Sequence, residues 1–381
     1  MMNLYYGKGG AETPSETEGI DTPTSGAFSH PSPRMDQVSS RFILLKVDPN
    51  SNFAGYTYEG IHGRYVTFFW QTVSNDYQKD STGHSLNLGA ASIYHSTFRK
   101  TDPGWTLVDR PVLVAVDAKK QSPLAAVTWA NGLKGAVYYL NERNIICERV
   151  TTDGGNTWNE GLLTGWTIPT RSNSDLAAVV TWESLRCMEI YVYFQDQNNR
   201  IRELRFGSEK GEWYEDSTTG YNLLKGLSGT SIVCSADSTW SAKRWVYSQS
   251  AVRDIQQFMY QSNGNKWTLE SPPKGNYFTQ RFDRKVRLGY CSDPRHLRIY
   301  CHDGGKVLEK VWQRGEGRKW NDQSVLPKGA GTAKIQENFI VLLWPQDVDN
   351  TASEVHLFST EGGFLHDYLI GPATGGKFSL V

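Results

Sequence analysis

Residues 190–213 read IYVYFQDQNNRIRELRFGSEKGEW, and this stretch decides the fold. Ile190-Tyr191-Val192-Tyr193-Phe194 is rich in β-branched and aromatic residues, which favour a pleated strand. Gln197, Asn198 and Asn199 then supply turn chemistry, because Asn tolerates positive φ and bonds back to its own backbone. Ile201 to Phe206 returns as a second strand, and a loop containing Gly and Glu leads to Trp213. The unit is a β-hairpin followed at a fixed distance by an aromatic. It recurs along the chain.

A short apolar strand ending in an aromatic closes at Trp70, Trp129 and Trp182, less cleanly before Trp240, and again at Tyr290 and Trp344, at spacings of 50 to 59 residues. The hairpins that follow align on His95, Glu148, Glu203, Gln257, Glu309 and Asp367. Each of these precedes a further aromatic by 10 or 11 residues: Trp105, Trp158, Trp213, Trp267, Trp320 and Phe378. Two landmarks that keep step through six copies predict an all-β, six-bladed β-propeller of repeats of about 50–59 residues. A single four-stranded blade cannot cover both its faces, so blades stack and the ring closes. Most Trp and Tyr residues are therefore assigned to the space between blades.

The propeller is expected over residues 41–381, with RFILLKVD at 41–48 as the first strand and Ser74–Ala91 as a surface loop. Residues 1–40, dominated by Gly, Ser, Thr, Pro and Glu, cannot bury enough apolar surface to offset the entropy of ordering, and are expected to form a disordered tail. Forty basic and forty acidic residues cancel, so no global field favours nucleic acid or an anionic membrane. No apolar run reaches the ~20 residues of a membrane span. No signal peptide is visible, which points to a cytoplasmic location or unconventional export. The five cysteines, an odd number without paired short spacings, suggest neither a disulfide scaffold nor a metal site. No cofactor motif is present.

The copy at 298–320, RIYCHDGGKVLEKVWQRGEGRKW, carries a convergent polar set. Arg298 and Glu309 flank a turn at Asp303-Gly304-Gly305 and can approach across the strands. Together with Trp312 and Trp320 they could grip vicinal hydroxyls and cover the apolar side of a sugar ring. A plain cross-strand ion pair explains the spacing equally well.

SPLAAVTW at 122–129, IYVYFQDQNNRIRE at 190–203 and LRIYCHDGGKVLE at 297–309 resemble the repeats of the fungal fucose-specific lectins. The resemblance spans roughly residues 41–381 and implies six-bladed propellers with fucose pockets between blades. That family's repeat resembles R-V-Y-Y-Q-D-x-x-G-x-I-R-E, its Arg and Glu gripping fucose hydroxyls and its aromatics packing on the ring. Carried over, Arg298 and Glu309 match the Arg and Glu, and Trp312 and Trp320 match the aromatics, although the turn is one residue shorter. The Arg position holds Ala136 in the Glu148 copy, which keeps Trp158. It holds Tyr191 in the Glu203 copy, which keeps Phe206 and Trp213, and Trp245 in the Gln257 copy. His95 and Asp367 mark further departures. The resemblance thus implies one intact pocket, weaker sites at Glu148 and Glu203, and L-fucose-containing glycans or glycoproteins as partners. It leaves the oligomeric state open, a homodimer included.

Two rival readings remain. Thr151–Trp158, TTDGGNTW, matches the Asp box of sialidases and related propellers. That motif staples a hairpin far from the chemistry, however, and no converging arginine triad, HExxH, GxSxG or P-loop is found. A sugar-free interaction scaffold is the other alternative, given five altered copies.

Overall fold

The computed structural model describes residues 42–43, 51–72, 90–101, 104–182, 188–215, 225–236, 243–261, 266–269, 282–292, 296–303, 306–313, 320–325, 339–344, 354–361, 364–370 and 379–380. They form six antiparallel sheets, each running outward from an inner strand in chain order. Blade 1 comprises Ala54–Gly60, Gly63–Thr72, Ala90–Thr101 and Gly104–Leu107, with Val112–Lys119 also paired to its third strand. Blade 2 comprises Leu124–Trp129, Lys134–Leu140, Ile146–Thr151 and Asn159–Glu160; blade 3 comprises Leu176–Trp182, Met188–Gln195, Ile201–Gly207 and Glu212–Glu215. Blade 4 uses Ile232–Ala236, Arg244–Gln249, Ile255–Gln261 and Lys266–Leu269. Blade 5 uses Arg287–Ser292, His296–Asp303, Lys306–Gln313 and Trp320–Val325. Blade 6 has Phe339–Trp344, Glu354–Glu361 and Phe364–Ile370, and its outer edge pairs with both Phe42–Ile43 and Ser379–Leu380. Each inner strand touches the next, and the inner strand of blade 6 touches that of blade 1, so the ring is closed.

Residues on the middle strands explain why the sheets stack. Every residue from Met188 to Gln195 is buried. Ile190, Val192 and Phe194 pack on Ala136 and Tyr138 of blade 2. Tyr191 and Tyr193, one position out of phase, pack on Val246, Phe258, Tyr260 and Trp267 of blade 4. A strand whose two faces both meet apolar neighbours needs a continuous hydrophobic run rather than alternation. The following turn is held by Asp196 Oδ1, which accepts from the backbone N–H of Asn198 at 2.8 Å and of Arg200 at 2.9 Å. Asn199 takes φ 63°, as its residue type favours.

Two recurrent side-chain bonds tie the strand ends. Ser51, Ser122, Ser174 and Thr230 stand before the inner strands. Each hydroxyl accepts from a backbone N–H at the end of its middle strand, at 2.7 Å every time. Gln195 and Gln249 close that strand in blades 3 and 4 and reach into the next blade. Gln195 Oε1 accepts from Gly229 N at 2.7 Å while its Nε2 donates to Leu227 O at 3.0 Å. Gln249 does the same with Val286 N and Arg284 O, at 3.1 and 2.9 Å. Around the axis the inner strands approach closely. A methyl group on Gly289 would lie 2.7 Å from Phe339 Cε2 and from Val341 Cγ2, so only glycine fits.

Three boundaries differ from the sequence expectation. Trp70 lies near the end of the middle strand of blade 1, not on its inner strand, which is Ala54–Gly60 and carries Tyr58 at the anchor position. The period breaks there because an insertion separates the middle and third strands. Of RFILLKVD, Phe42–Ile43 forms a strand at the edge of the last blade rather than opening the first one. Ala90 and Ala91 of the expected loop belong to the third strand of blade 1. The remainder of that loop, Trp240, Cys187 and the expected tail lie outside the described residues. Cys147 and Cys234 are free thiols.

Because Phe42–Ile43 pairs with Phe364–Leu365 at the ring's seam, deleting residues 1–45 should lower Tm by a few degrees relative to deleting residues 1–38. Calorimetry on the two truncations checks this, and equal Tm values would refute it.

Candidate functional site

At every junction the acid position of one blade lies opposite an aromatic or phenolic ring on its own middle strand. The register pairs Phe69 with His95, Tyr138 with Glu148, Tyr193 with Glu203, Tyr247 with Gln257, Tyr300 with Glu309 and Phe358 with Asp367. Where the pair is Tyr and Glu, the phenol donates to the carboxylate: at 3.1 Å for Tyr138–Glu148 and at 2.7 Å for Tyr193–Glu203 and Tyr300–Glu309. Burial, then the adjacent carboxylate, pushes the Tyr138 phenol far above its ordinary pKa, and burial does the same for Tyr193 and Tyr300, so all three remain donors. Two residues earlier on the same face stands the position that differs most: Thr67, Ala136, Tyr191, Trp245, Arg298 and His356 in blades 1 to 6.

Blade 5 keeps both expected charges. Arg298 Nη1 donates to Glu309 Oε1 at 2.9 Å, and Tyr300 shares that oxygen. Both charged side chains are less than a tenth exposed. Burial opposes the charge on Arg298, but Tyr300 and Glu309 more than offset it, so the guanidinium pKa is raised. Arg298 Nε is buried with no hydrogen-bond partner among the described residues. A buried guanidinium with an unspent donor is a site able to engage a ligand oxygen. The register pairs Trp312 with Leu297 and with Trp320; the side chains of both tryptophans lie outside the described residues.

Other junctions solve the same burial problem with protein atoms. Between blades 3 and 4, Arg244 of blade 4 enters the space left by Tyr191. Its Nη2 donates to Glu203 Oε1 at 3.2 Å and its Nε to Tyr193 Oη at 3.3 Å. Its Cζ lies 3.7 Å from the Tyr191 ring centroid and 3.9 Å from that of Tyr260, a desolvated double cation–π contact. The Arg that sequence comparison misses in blade 3 is thus supplied from the next blade, and it fills the junction. Between blades 6 and 1, His356 Nδ1 lies 2.8 and 2.9 Å from the two Asp367 oxygens, and Trp105 Nε1 donates to Asp367 at 2.8 Å. Between blades 1 and 2, His95 Nε2 donates to Gly155 O at 2.9 Å. Gly155 belongs to the Asp box, whose Asp153 is spent on its own turn, accepting from Thr157 Oγ1 at 2.6 Å and Thr157 N at 3.0 Å. Those two bonds and one from Thr151 hold the Asp153 carboxyl down at about 2.

Between blades 2 and 3 the Arg position is Ala136, and a cavity of about 550 Å³ remains, lined by Trp129, Met188, Ile190, Phe206, Trp213 and Glu148 among others. Glu148 is 4% exposed. It accepts from Tyr138 Oη, from Leu163 N at 3.0 Å and from Trp213 Nε1 at 3.3 Å. Burial dominates these bonds and raises its pKa.

The weaker candidates are therefore grouped differently from the sequence expectation. Trp213 and Phe206 stand against Glu148 of the preceding blade, not beside Glu203 of their own. Trp158 stands against His95 of blade 1, at 5.4 Å between rings, not beside Glu148. Trp267 meets Tyr193 at 6.0 Å, and Trp105 meets Asp367 across the seam. In all four, the tryptophan on or just before the fourth strand faces the acid-bearing side of the blade before it. The physical reason is the pleat and the stacking: the acid faces the following blade, so its aromatic wall comes from the following copy. Constant spacing within a copy conceals this, because the aromatics are equally periodic either way. Sequence reasoning also missed Arg244 and His356. The signal for Arg244 was its place directly before Trp245, on the face turned toward blade 3.

A family model described as "Fungal fucose-specific lectin" matches residues 88–336, more than half of the chain. The fucose-specific lectin of Aleuria aurantia is 28% identical over 231 residues, covering 59% of this chain and 67% of that protein. A structure of that lectin in complex with α-methyl-L-fucoside superposes with a TM-score of 0.67 at 22% identity, over 88% of this chain and 96% of the other. AofleA from Arthrobotrys oligospora superposes at 0.60 with 17% identity, over 88% and 87%. At these identities the structural likeness shows the fold.

Removing Arg244 leaves Glu203 buried and unpaired, so Arg244→Ala should cost ~3–5 kcal/mol in urea unfolding, with Glu203→Gln recovering part of it in the double variant. A loss below about 1 kcal/mol would sink the assignment. Glu148 behaves oppositely to a salt-bridged acid. Its raised pKa means its stability contribution is present below the unfolded-state value and lost as pH rises through the folded one. The stability of the wild type relative to Glu148→Gln should therefore grow as pH falls from 7 toward 5. A flat or inverted difference would contradict it.

Proposed function

We propose that this chain, which belongs to the fungal fucose-specific lectin family, binds fucosylated glycans or glycoproteins at the junction that follows blade 5. Arg298 and Glu309 form the grip. The observation that carries this reading is the buried Arg298 guanidinium, whose Nη1 is anchored by Glu309 while its Nε has no partner among the described residues. A sugar hydroxyl could accept from Nε, and Glu309, anchored through Oε1, offers its second oxygen to a neighbouring hydroxyl. The apolar side of the ring would meet Val341, Phe339 and Val355 of blade 6, which cluster with Tyr300 and Cys291.

The repeat geometry supports a division of the aromatic candidates. Since the four described tryptophans at this repeat position face the preceding blade, this reading assigns Trp320 to the junction between blades 4 and 5. Glu203 is engaged by Arg244 and is not a sugar acceptor in this reading. A single site of this kind among the described residues would make the chain a weak binder of multivalent surfaces, because avidity needs several sites acting together. No catalytic step is assigned. The Asp box acts as a hairpin staple here, with Asp153 bonded to Thr151 and Thr157.

Calorimetric titration with L-fucose, with galactose as the control sugar, tests the reading. Glu309→Gln and Arg298→Lys should each weaken fucose binding at least tenfold in folded protein, because each removes a charge-assisted bond worth ~1.5–3 kcal/mol. Trp320→Ala should change it less than twofold. Absence of heat at millimolar fucose would overturn the lectin reading and favour a sugar-free scaffold.

A further inference from the structure

The end of the central channel where the inner strands begin opens into a vestibule made of two adjoining cavities, about 200 and 260 Å³, which share Gly229 and Arg287. Among the described residues, Lys119, Lys120, Arg284, Lys285 and Arg287 line it, against one carboxylate, Asp175. That carboxylate is already committed. Its Oδ2 accepts from Arg287 Nη1 at 3.1 Å, Ser231 Oγ at 3.0 Å and Ile232 N at 3.1 Å, and its Oδ1 from Leu176 N at 3.0 Å. Lys119 is also committed, to Asn144 Oδ1 at 2.8 Å and to Ser172 O. The chain as a whole is neutral, so this concentration of positive charge is local. A cleft with one sign of charge on low-dielectric walls focuses its field on the solvent inside.

Two donors converge within it. Asn173 Oδ1 accepts from Arg171 Nε at 2.9 Å, which turns the amide nitrogen toward Gly229. A methyl group on Gly229 would lie 2.4 Å from Asn173 Nδ2 and 2.9 Å from Lys285 Nζ. The glycine sits at φ +64° with its N–H given to Gln195. An amide N–H₂ and an ammonium thus face one small space, with the exposed side chain of Lys120 on the same vestibule wall. Donors brought together over a glycine without an intervening acceptor form an anion-binding concavity.

We propose that this vestibule binds an oxyanion group, sulfate or phosphate, with Lys285 Nζ and Asn173 Nδ2 as direct donors and Lys120 as a second charge. The site lies at the channel mouth and is independent of the fucose reading. Titration calorimetry at low ionic strength, with sodium sulfate, sodium phosphate, and a sulfated disaccharide beside its neutral counterpart, tests it. The wild type should bind the oxyanions, and Lys120→Ala/Lys285→Ala should weaken that binding at least tenfold with unchanged Tm. Saturating L-fucose should leave it unaltered. Preference for the sulfated over the neutral disaccharide would identify a glycan ester as the natural source, and binding of inorganic ions alone a free oxyanion. Equal binding by wild type and double variant, displacement by fucose, or equal competition by chloride at matched ionic strength would each overturn the proposal.

Discussion

Neither face of a four-stranded blade can stay in water, so each blade lends one face to each neighbour. The middle strand of blade 3 displays the consequence, with Val192 and Phe194 packed backward and Tyr191 and Tyr193 forward, all fully buried. Strand ends that would otherwise be orphaned between sheets are satisfied by short polar side chains. The Ser and Thr hydroxyls take the last N–H of the middle strand, and Gln195 and Gln249 bridge to the next blade. The hydroxyl bonds and the Gln249–Val286 bridge are buried, where a missing partner would cost ~1–3 kcal/mol each. They set the spacing between blades, and with it the width of each junction.

That spacing turns the acid position into a recurring electrostatic problem. A carboxylate at a junction is cut off from water and must be paired, protonated or bonded. Glu309 is paired by Arg298 from its own blade, and Glu203 by Arg244 from the next. Asp367 is met by His356 and Trp105, while Glu148, without a cation, holds its proton more tightly. The Arg that stands beside its own Glu leaves a donor unspent; the Arg that crosses from the next blade is sandwiched by two tyrosines and leaves no room. One residue type therefore leaves a donor available in one place and closes a junction in another.

The same logic explains what was legible. Repeats announce themselves because every blade needs the same hairpin and the same aromatic filling, as in IYVYFQDQNNRIRE. The Arg298–Glu309 pairing was legible too, because both lie on adjacent strands within one copy. The tryptophan partners were not: Trp213 serves Glu148, and Trp158 serves His95, across a boundary that periodic spacing leaves undetermined. The first blade was misread for a different reason. Its insertion lengthens the link between middle and third strands, so Trp70 mimicked an inner-strand anchor.

By itself the sequence determined that the chain is a propeller of six hairpin repeats, because periodic apolar and turn residues constrain local structure directly. It also determined that one copy alone carries both Arg and Glu at the expected positions. Only the tertiary structure decided which side chains share a junction, since partners there come from different blades and are brought together by stacking. It likewise decided that Arg244 fills one junction, that Phe42–Ile43 closes the seam, and that Asn173 and Lys285, from separate loops, meet beside Gly229 at the channel mouth. Those are consequences of ring closure, and no stretch of chain encodes them alone.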